Sequence, residues 1–185
     1  MAQNLTGGLR GAGPHGRTVE EQMKDRLMEE DEYDVEEIEN RGLTAHEDYK
    51  FIAGAPDGIL TSVGIQYLLE CKYTEKKTPH FLTYNNRNEI DGVNPADEYY
   101  YQVIGLLEIF NLDVCWFAVQ IKGESEMRLF YIHRNTKFFN EDMLPQLHRF
   151  YFGAMLPNIV RPLPGRVRHD IKEKYVARFA WVLER

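Results

Sequence analysis

The stretch 65–73, Ile-Gln-Tyr-Leu-Leu-Glu-Cys-Lys-Tyr, most narrows what this chain can fold into. It alternates and is rich in apolar groups, as a strand facing a core does, yet it carries Glu70 and Lys72. Side chains two apart on a strand leave the same face, so Glu70 and Lys72 project together while Cys71 points the other way, into apolar packing. Just upstream, Gly54-Ala-Pro-Asp-Gly58 is a turn signal flanked by short extended segments at 50–53 and 58–61. Where 58–61 and 65–73 pair as a hairpin, Asp57 and Glu70 converge near one point, with Lys72 one step further on.

The surrounding pattern is helix, several strands, helix, two strands, helices. Thr18 caps a helix whose Val19, Met23 and Leu27 recur every four residues, with Glu20 and Glu21 in its first turn, and which ends in the charged stretch 29–34. A strand at 35–39 leads into the turn Asn40-Arg41-Gly42, and residues 74–94 read as a long polar loop. Pro95 opens a helix running to 111, with Val103, Leu106, Leu107 and Phe110 on one face. Residues 114–122 and 127–133 read as a hairpin, 137–152 as a helix, 157–164 as a linker and 170–183 as a final helix. This order predicts an α/β (α+β) fold with a mixed central sheet flanked by helices. Residues 1–15 are a flexible, Gly-rich lead-in, and 16–185 form a single domain with a basic helical segment at 157–185.

Composition excludes several classes. The chain has 185 residues, 43% hydrophobic and 28% charged, which suits one domain with a buried core. Its longest apolar runs, 103–107 and 114–119, are too short to cross a bilayer, and the first residues carry no secretory signal; the expected setting is intracellular, with no membrane partner. Two cysteines, Cys71 and Cys115, cannot build a disulfide framework, a four-cysteine zinc site or an iron–sulfur cluster. The net charge of −7 is uneven: residues 1–50 hold 13 acidic and 6 basic side chains, residues 149–185 hold 3 and 8. Net charge therefore does not exclude a polyanion.

A carboxylate pair beside a lysine is what metal-assisted phosphodiester hydrolysis asks for. Hard oxygens hold Mg²⁺ or Mn²⁺, the cation acidifies water and neutralises phosphoryl charge, and a lysine orients or deprotonates that water or steadies the charge. The competing reading is a turn followed by a strand with two exposed charges.

Pro56-Asp57, twelve residues, then Glu70-Cys71-Lys72 resembles the signature of the PD-(D/E)XK nucleases, and more narrowly the lambda exonuclease and YqaJ-like viral recombinase branch. Gly42 to His46, Phe51-Ile52-Ala53, Gly16-Arg17-Thr18-Val19-Glu20 and Pro95 to Gln102 with its Tyr99-Tyr100-Tyr101 match further segments of that branch, over residues 16–121. The resemblance implies a restriction-endonuclease-like core and a Mg²⁺- or Mn²⁺-dependent deoxyribonuclease, an exonuclease of viral or phage recombination or replication. Asp57 and Glu70 would hold the metal with the carbonyl of Cys71, Lys72 would act on the attacking water, Glu20 would be an outer ligand and Gln102 would orient groups in the site. It also implies linear duplex DNA as substrate, a single-strand annealing protein as partner, and a homotrimer as one oligomeric option. Alternatives with the same core are an endonuclease, an RNA-directed nuclease and a nucleic-acid-binding protein that does not cut.

Further candidates rest on residue type. Tyr99 and Tyr101 could stack on bases, although Tyr99, Tyr100 and Tyr101 point three ways on a helix. Lys76 and Lys77, with His80 and Arg87, and in the tail Arg166 and Arg168, could meet phosphates. His46 reads as a structural histidine before a Mn²⁺ ligand.

Overall fold

The computed structural model describes residues 18–160. Its frame is a five-stranded mixed sheet in the order β1-β4-β5-β8-β9. The strands are β1 (Val35–Glu39), β4 (Gly58–Ser62), β5 (Ile65–Thr74), β8 (Val114–Ile121) and β9 (Arg128–His133). Two short pairs complete the strands: β2 (Thr44–Ala45) with β3 (Ala53–Gly54), and β6 (Leu82–Tyr84) with β7 (Ile90–Val93). All neighbours in the main sheet are antiparallel except β5 and β8, which run parallel and are joined through a helix, as a parallel pair requires. The expected mixed sheet flanked by helices is what the chain adopts.

The two faces of the sheet carry separate cores. Helix α1 (Val19–Glu29) lays Met23 and Leu27 on Leu60, Leu69, Trp116 and Ala118. Helix α2 (Glu98–Phe110) lays Val103, Ile104 and Leu107 on Leu68, Phe117 and Val119 of the opposite face. Consecutive residues Leu68 and Leu69 thus enter different cores, as the two-residue strand period demands. Each helix starts at a side-chain cap. Thr18 and Glu21 form a reciprocal capping box on α1, and Asp97 caps α2 through the Tyr99 N–H.

Three expectations change. Helix α2 begins at Glu98 rather than at Pro95, because the Asp97 side chain supplies the cap. The stretch 74–94 is not merely a polar loop: Phe81 and Leu82 are buried in the α2 core, and this anchorage lets β6 and β7 pair. Residues 136–160 form one helical run, of α-helical turns (Thr136–Phe138, Leu144–Phe150, Leu156–Val160) alternating with π-helical ones (Phe139–Met143, Tyr151–Met155). Pro145 and Pro157 each follow a π-turn closely, and the wider turn makes room for a ring that would otherwise strike the preceding carbonyl. Proline therefore did not end the helix where the sequence suggested a linker. The lead-in 1–15, Gly16 and the helix expected at 170–183 lie outside the described residues.

The turn that sets the register of β4 on β5 is strained. Ser62 pairs with Ile65, leaving Val63 and Gly64 as a two-residue turn with both φ positive, +50° and +71°. Glycine adopts this freely, whereas a β-branched residue there costs about 1–2 kcal/mol. Val63→Asn keeps the turn and removes most of that cost. It should stabilise the protein by about 1 kcal/mol in urea unfolding, and no gain would mean that Val63 is relaxed where it sits.

Candidate metal and nucleic-acid site

The β4–β5 ladder ends at Gly58 opposite Leu69, so Asp57 and Glu70 stand at the first positions beyond it. Asp57 is fixed there by its own strand: Gly58 lies so close to Ile38 that a Cβ would come within 2.9 Å of its Cγ2, which fits only glycine after the aspartate. With β4 gone, the next amide on that edge of β5 needs an acceptor. The Cys71 N–H donates to Asp57 Oδ2 at 2.7 Å. In an extended strand a residue's N–H and C=O face the same side, so the Cys71 carbonyl is directed to the edge where Asp57 stands. The Cys71 side chain packs toward α1, and burial pushes its thiol well above its ordinary pKa.

Glu70 and Lys72 project toward α2. Glu70 is 1% exposed. Its Oε1 accepts from Lys72 Nζ and from Gln102 Nε2 on α2, the latter at 2.8 Å, while its buried Oε2 has no partner. Lys72 Nζ also lies 4.6 Å from the centre of the Tyr99 ring, a cation–π contact. Burial, reinforced by Asp57, raises the Glu70 carboxyl to about 7 against the pull of Lys72. Asp57 is raised too, chiefly by burial, with the Cys71 N–H and Lys72 opposing. For Lys72 burial works downward but Glu70 outweighs it, so the ammonium is raised and stays charged through neutral pH. Both carboxyls beside it, Glu70 and Asp57, favour that charge.

Glu20 approaches from the other face. Its Oε1 accepts from Lys24 Nζ at 2.7 Å, and the same ammonium donates to the backbone carbonyl of Asp57 and, at 3.2 Å, to Asn40 Oδ1. Lys24 and Asn40 did not figure among the sequence candidates, although Lys24 stands one helical turn after Glu20, the spacing at which such pairs meet.

The structure thus gathers Asp57, Glu70, Lys72, Gln102 and Tyr99 directly, with Glu20 reaching the Asp57 turn through Lys24. Tyr100 and Tyr101 instead turn against Phe138, the latter at 5.1 Å between ring centres. Lys76 and Lys77 are exposed on the segment after β5. Arg166 and Arg168 lie outside the described residues. His46 is a structural residue: buried, stacked on Phe139, its Nδ1 accepting the N–H groups of Asp48 and Tyr49. A groove of about 540 Å³ along edge strand β9 shares no residue with this site; an extended phosphodiester is met at an open edge, so cavity volume does not locate it.

Among the described residues no three His, Cys, Asp or Glu side chains are gathered closely enough to bind a metal ion by themselves. The donor set nevertheless fits Mg²⁺ or Mn²⁺, which take one or two carboxylates and complete their shell with water, carbonyl and phosphate oxygens. Asp57 and Glu70 are such a pair, and the unpartnered Oε2 of Glu70 is a buried hard donor without another use.

Residues 6–111 match the model of the YqaJ-like viral recombinase domain, a segment that includes α1, β1 to β7 and α2. That is more than half of the chain. The protein belongs to the YqaJ-like viral recombinase domain family. This agrees with the lambda exonuclease and YqaJ-like branch of the PD-(D/E)XK superfamily, and the match spans Glu20, Asp57, Glu70, Lys72 and Gln102. No curated protein sequence matches the chain significantly. Among the described residues no helix is long and apolar enough to cross a membrane.

The raised Glu70 carboxyl fixes a pH dependence of this family member without added metal. Between its ordinary value near 4.5 and about 7, an unfolded Glu70 is ionised while the folded one keeps its proton. The folded state then binds more protons, so this group's contribution to stability is full below pH 4.5 and declines as pH rises to 7, on the order of 3 kcal/mol in total. Urea midpoints measured in EDTA should show that decline, and it should flatten in Glu70→Gln; equal slopes would mean that Glu70 titrates normally.

Proposed function

We propose that this chain is a Mg²⁺- or Mn²⁺-dependent deoxyribonuclease, acting as an exonuclease on linear duplex DNA in viral or phage-type recombination. The observation that carries this reading is the meeting of Asp57 and Glu70 at the end of the β4–β5 ladder with the charged Lys72 beside them. Family membership supplies the setting, a viral-type recombinase domain.

On this reading Asp57, Glu70 and the Cys71 carbonyl would hold the divalent cation, with Glu20 as an outer ligand behind them. The bound cation would acidify a water and offset charge on the phosphoryl group. Lys72, kept protonated by Glu70, acts as a donor that orients the attacking oxygen and steadies the developing phosphoryl charge, rather than as the base. Gln102 holds the Glu70 carboxylate in place through Oε1, leaving Oε2 for the cation. Tyr99, braced edge-on by Phe81 at 5.1 Å, backs Lys72 and offers a ring edge to a base. Lys76, Lys77, Arg166 and Arg168 contact the phosphate backbone. Residues 16–185 act as one nuclease domain in an intracellular setting, alongside a single-strand annealing protein, and a homotrimer is the oligomer to look for.

The test is digestion of 5′- and 3′-labelled linear duplex and of closed circular DNA, in Mg²⁺, Mn²⁺ or EDTA. The linear substrates should be degraded with either metal, and not in EDTA. Lys72→Ala should lose about 10²–10³ of the rate while retaining DNA binding. Equal cutting of circles would make the enzyme an endonuclease; cleavage of RNA alone would change its substrate; binding without turnover would leave a non-catalytic nuclease fold.

A further inference from the structure

Asp97 does more than cap α2. A helix N-cap needs one side-chain oxygen, and serine or asparagine would supply it without burying a charge. Here Asp97 Oδ1 accepts the Tyr99 N–H at 3.1 Å, while Oδ2 meets His80 Nε2, also at 3.1 Å. The carboxylate side chain is 2% exposed and the histidine side chain 39%. One ring nitrogen is thus anchored to a buried anion, and Nδ1 has no partner among the described residues.

The pair is not needed to hold the chain. The His80 carbonyl accepts from Asn94 Nδ2 at 3.1 Å, the Phe81 carbonyl accepts the Asn94 N–H at 2.9 Å, and Phe81 is itself buried. With the backbone pinned in this way, what Asp97 fixes is the direction of the imidazole, as a carboxylate does for histidines that work on a ligand or substrate. The neighbours give that direction a use. The His80 ring centre lies 5.9 Å from that of Phe81, Phe81 lies 5.1 Å from Tyr99, and the Tyr99 ring centre is 4.6 Å from Lys72 Nζ. An unbroken run of contacts leads from the exposed histidine to the lysine beside the carboxylate pair.

We propose that His80 is a substrate-contacting residue, its Nε2 held by Asp97 and its Nδ1 donating to a backbone phosphate of the bound DNA strand on the Tyr99 side of Lys72. The inference rests on the DNA reading given above and extends the site along the start of α2. A phosphate oxygen accepts and does not donate, so the ring has to donate from both nitrogens, as an imidazolium does. Between the carboxylate and a phosphate, the ring has an anion on either side to favour that form. Lys76 and Lys77 are exposed on the preceding segment, whereas His80 arrives with its ring already oriented and loses little side-chain freedom on contact.

The test is binding of a labelled linear duplex by the full chain in the Lys72→Ala background, with Ca²⁺ in place of Mg²⁺ so that the duplex is not consumed. The duplexes carry one neutral methylphosphonate linkage at a time. The parent should lose about tenfold in affinity at the linkage that His80 meets, the effect of one charge-assisted hydrogen bond. His80→Gln keeps a donor toward Asp97 but has nothing where Nδ1 stood. It should bind unmodified duplex about tenfold more weakly and lose its sensitivity at that one linkage, while every other linkage keeps its parental effect. A histidine that only staples the loop would leave His80→Gln with parental affinity, or would weaken it while all linkages kept their parental effects; either result overturns the proposal. Melting temperatures confirm folding. Should His80→Gln not fold, Asp97→Asn decides, because it keeps the cap and should blunt the same linkage, and unaltered sensitivity there sinks the role of His80. Duplex binding with no linkage that depends on His80 overturns this inference alone, whereas a parent that binds no duplex overturns the DNA reading with it.

Discussion

The burial of one carboxylate organises this molecule. Glu70 sits in the central strand of a five-stranded sheet at 1% exposure, where an unpaired charge would be far too costly to keep. Lys72 on the same face and Gln102 from the crossing helix answer part of that cost, both through Oε1. The remainder stays on Oε2 and appears as a proton held to about 7. A fold selected for stability alone would place an apolar residue here, as it does at Leu68 two positions earlier. The carboxylate is kept at a cost, which is what a group reserved for a ligand looks like.

Location follows from how the sheet ends. β4 stops pairing at Gly58, while β5 runs on for five residues held only by β8. That overhang leaves the Cys71 amide without a β4 partner and lets Asp57 fold back onto it. From the α2 face come Glu70, Lys72, Gln102 and Tyr99; from the α1 face come Glu20 and Lys24. Neither helix alone builds the site, and the split core beneath them is what allows each to approach from its own side.

Much of this was legible in the sequence because it rests on short-range rules. The strand period placed Glu70 and Lys72 on one face and Cys71 on the other, and the cap residues placed α1. The meeting of Asp57 with Glu70 required only that adjacent strands pair. What escaped notice depended on distant partners. The β6–β7 pair exists because Phe81 and Leu82 find the α2 core, a contact that local polarity at 74–94 conceals. Pro157 lies within a helix because a π-turn precedes it, and no composition rule announces a π-turn. Tyr99 and Tyr101, equivalent by type, are separated by a two-residue rotation about the helix that sends one to Lys72 and the other to Phe138. Lys24 looked like one charge among many in an acidic helix. Its three-way contact emerges only when Asn40 and the Asp57 carbonyl arrive from elsewhere.

The charges of the assembled site bear on what it can attract. Glu20, Asp57 and Glu70 bring three carboxylates, and Lys24 and Lys72 bring two ammoniums, all linked by direct contacts or through the Asp57 turn. With all five ionised the cluster carries a single negative charge. On the reading proposed above, a divalent cation would turn this to a single positive charge, matched to the one negative charge of a bridging phosphodiester.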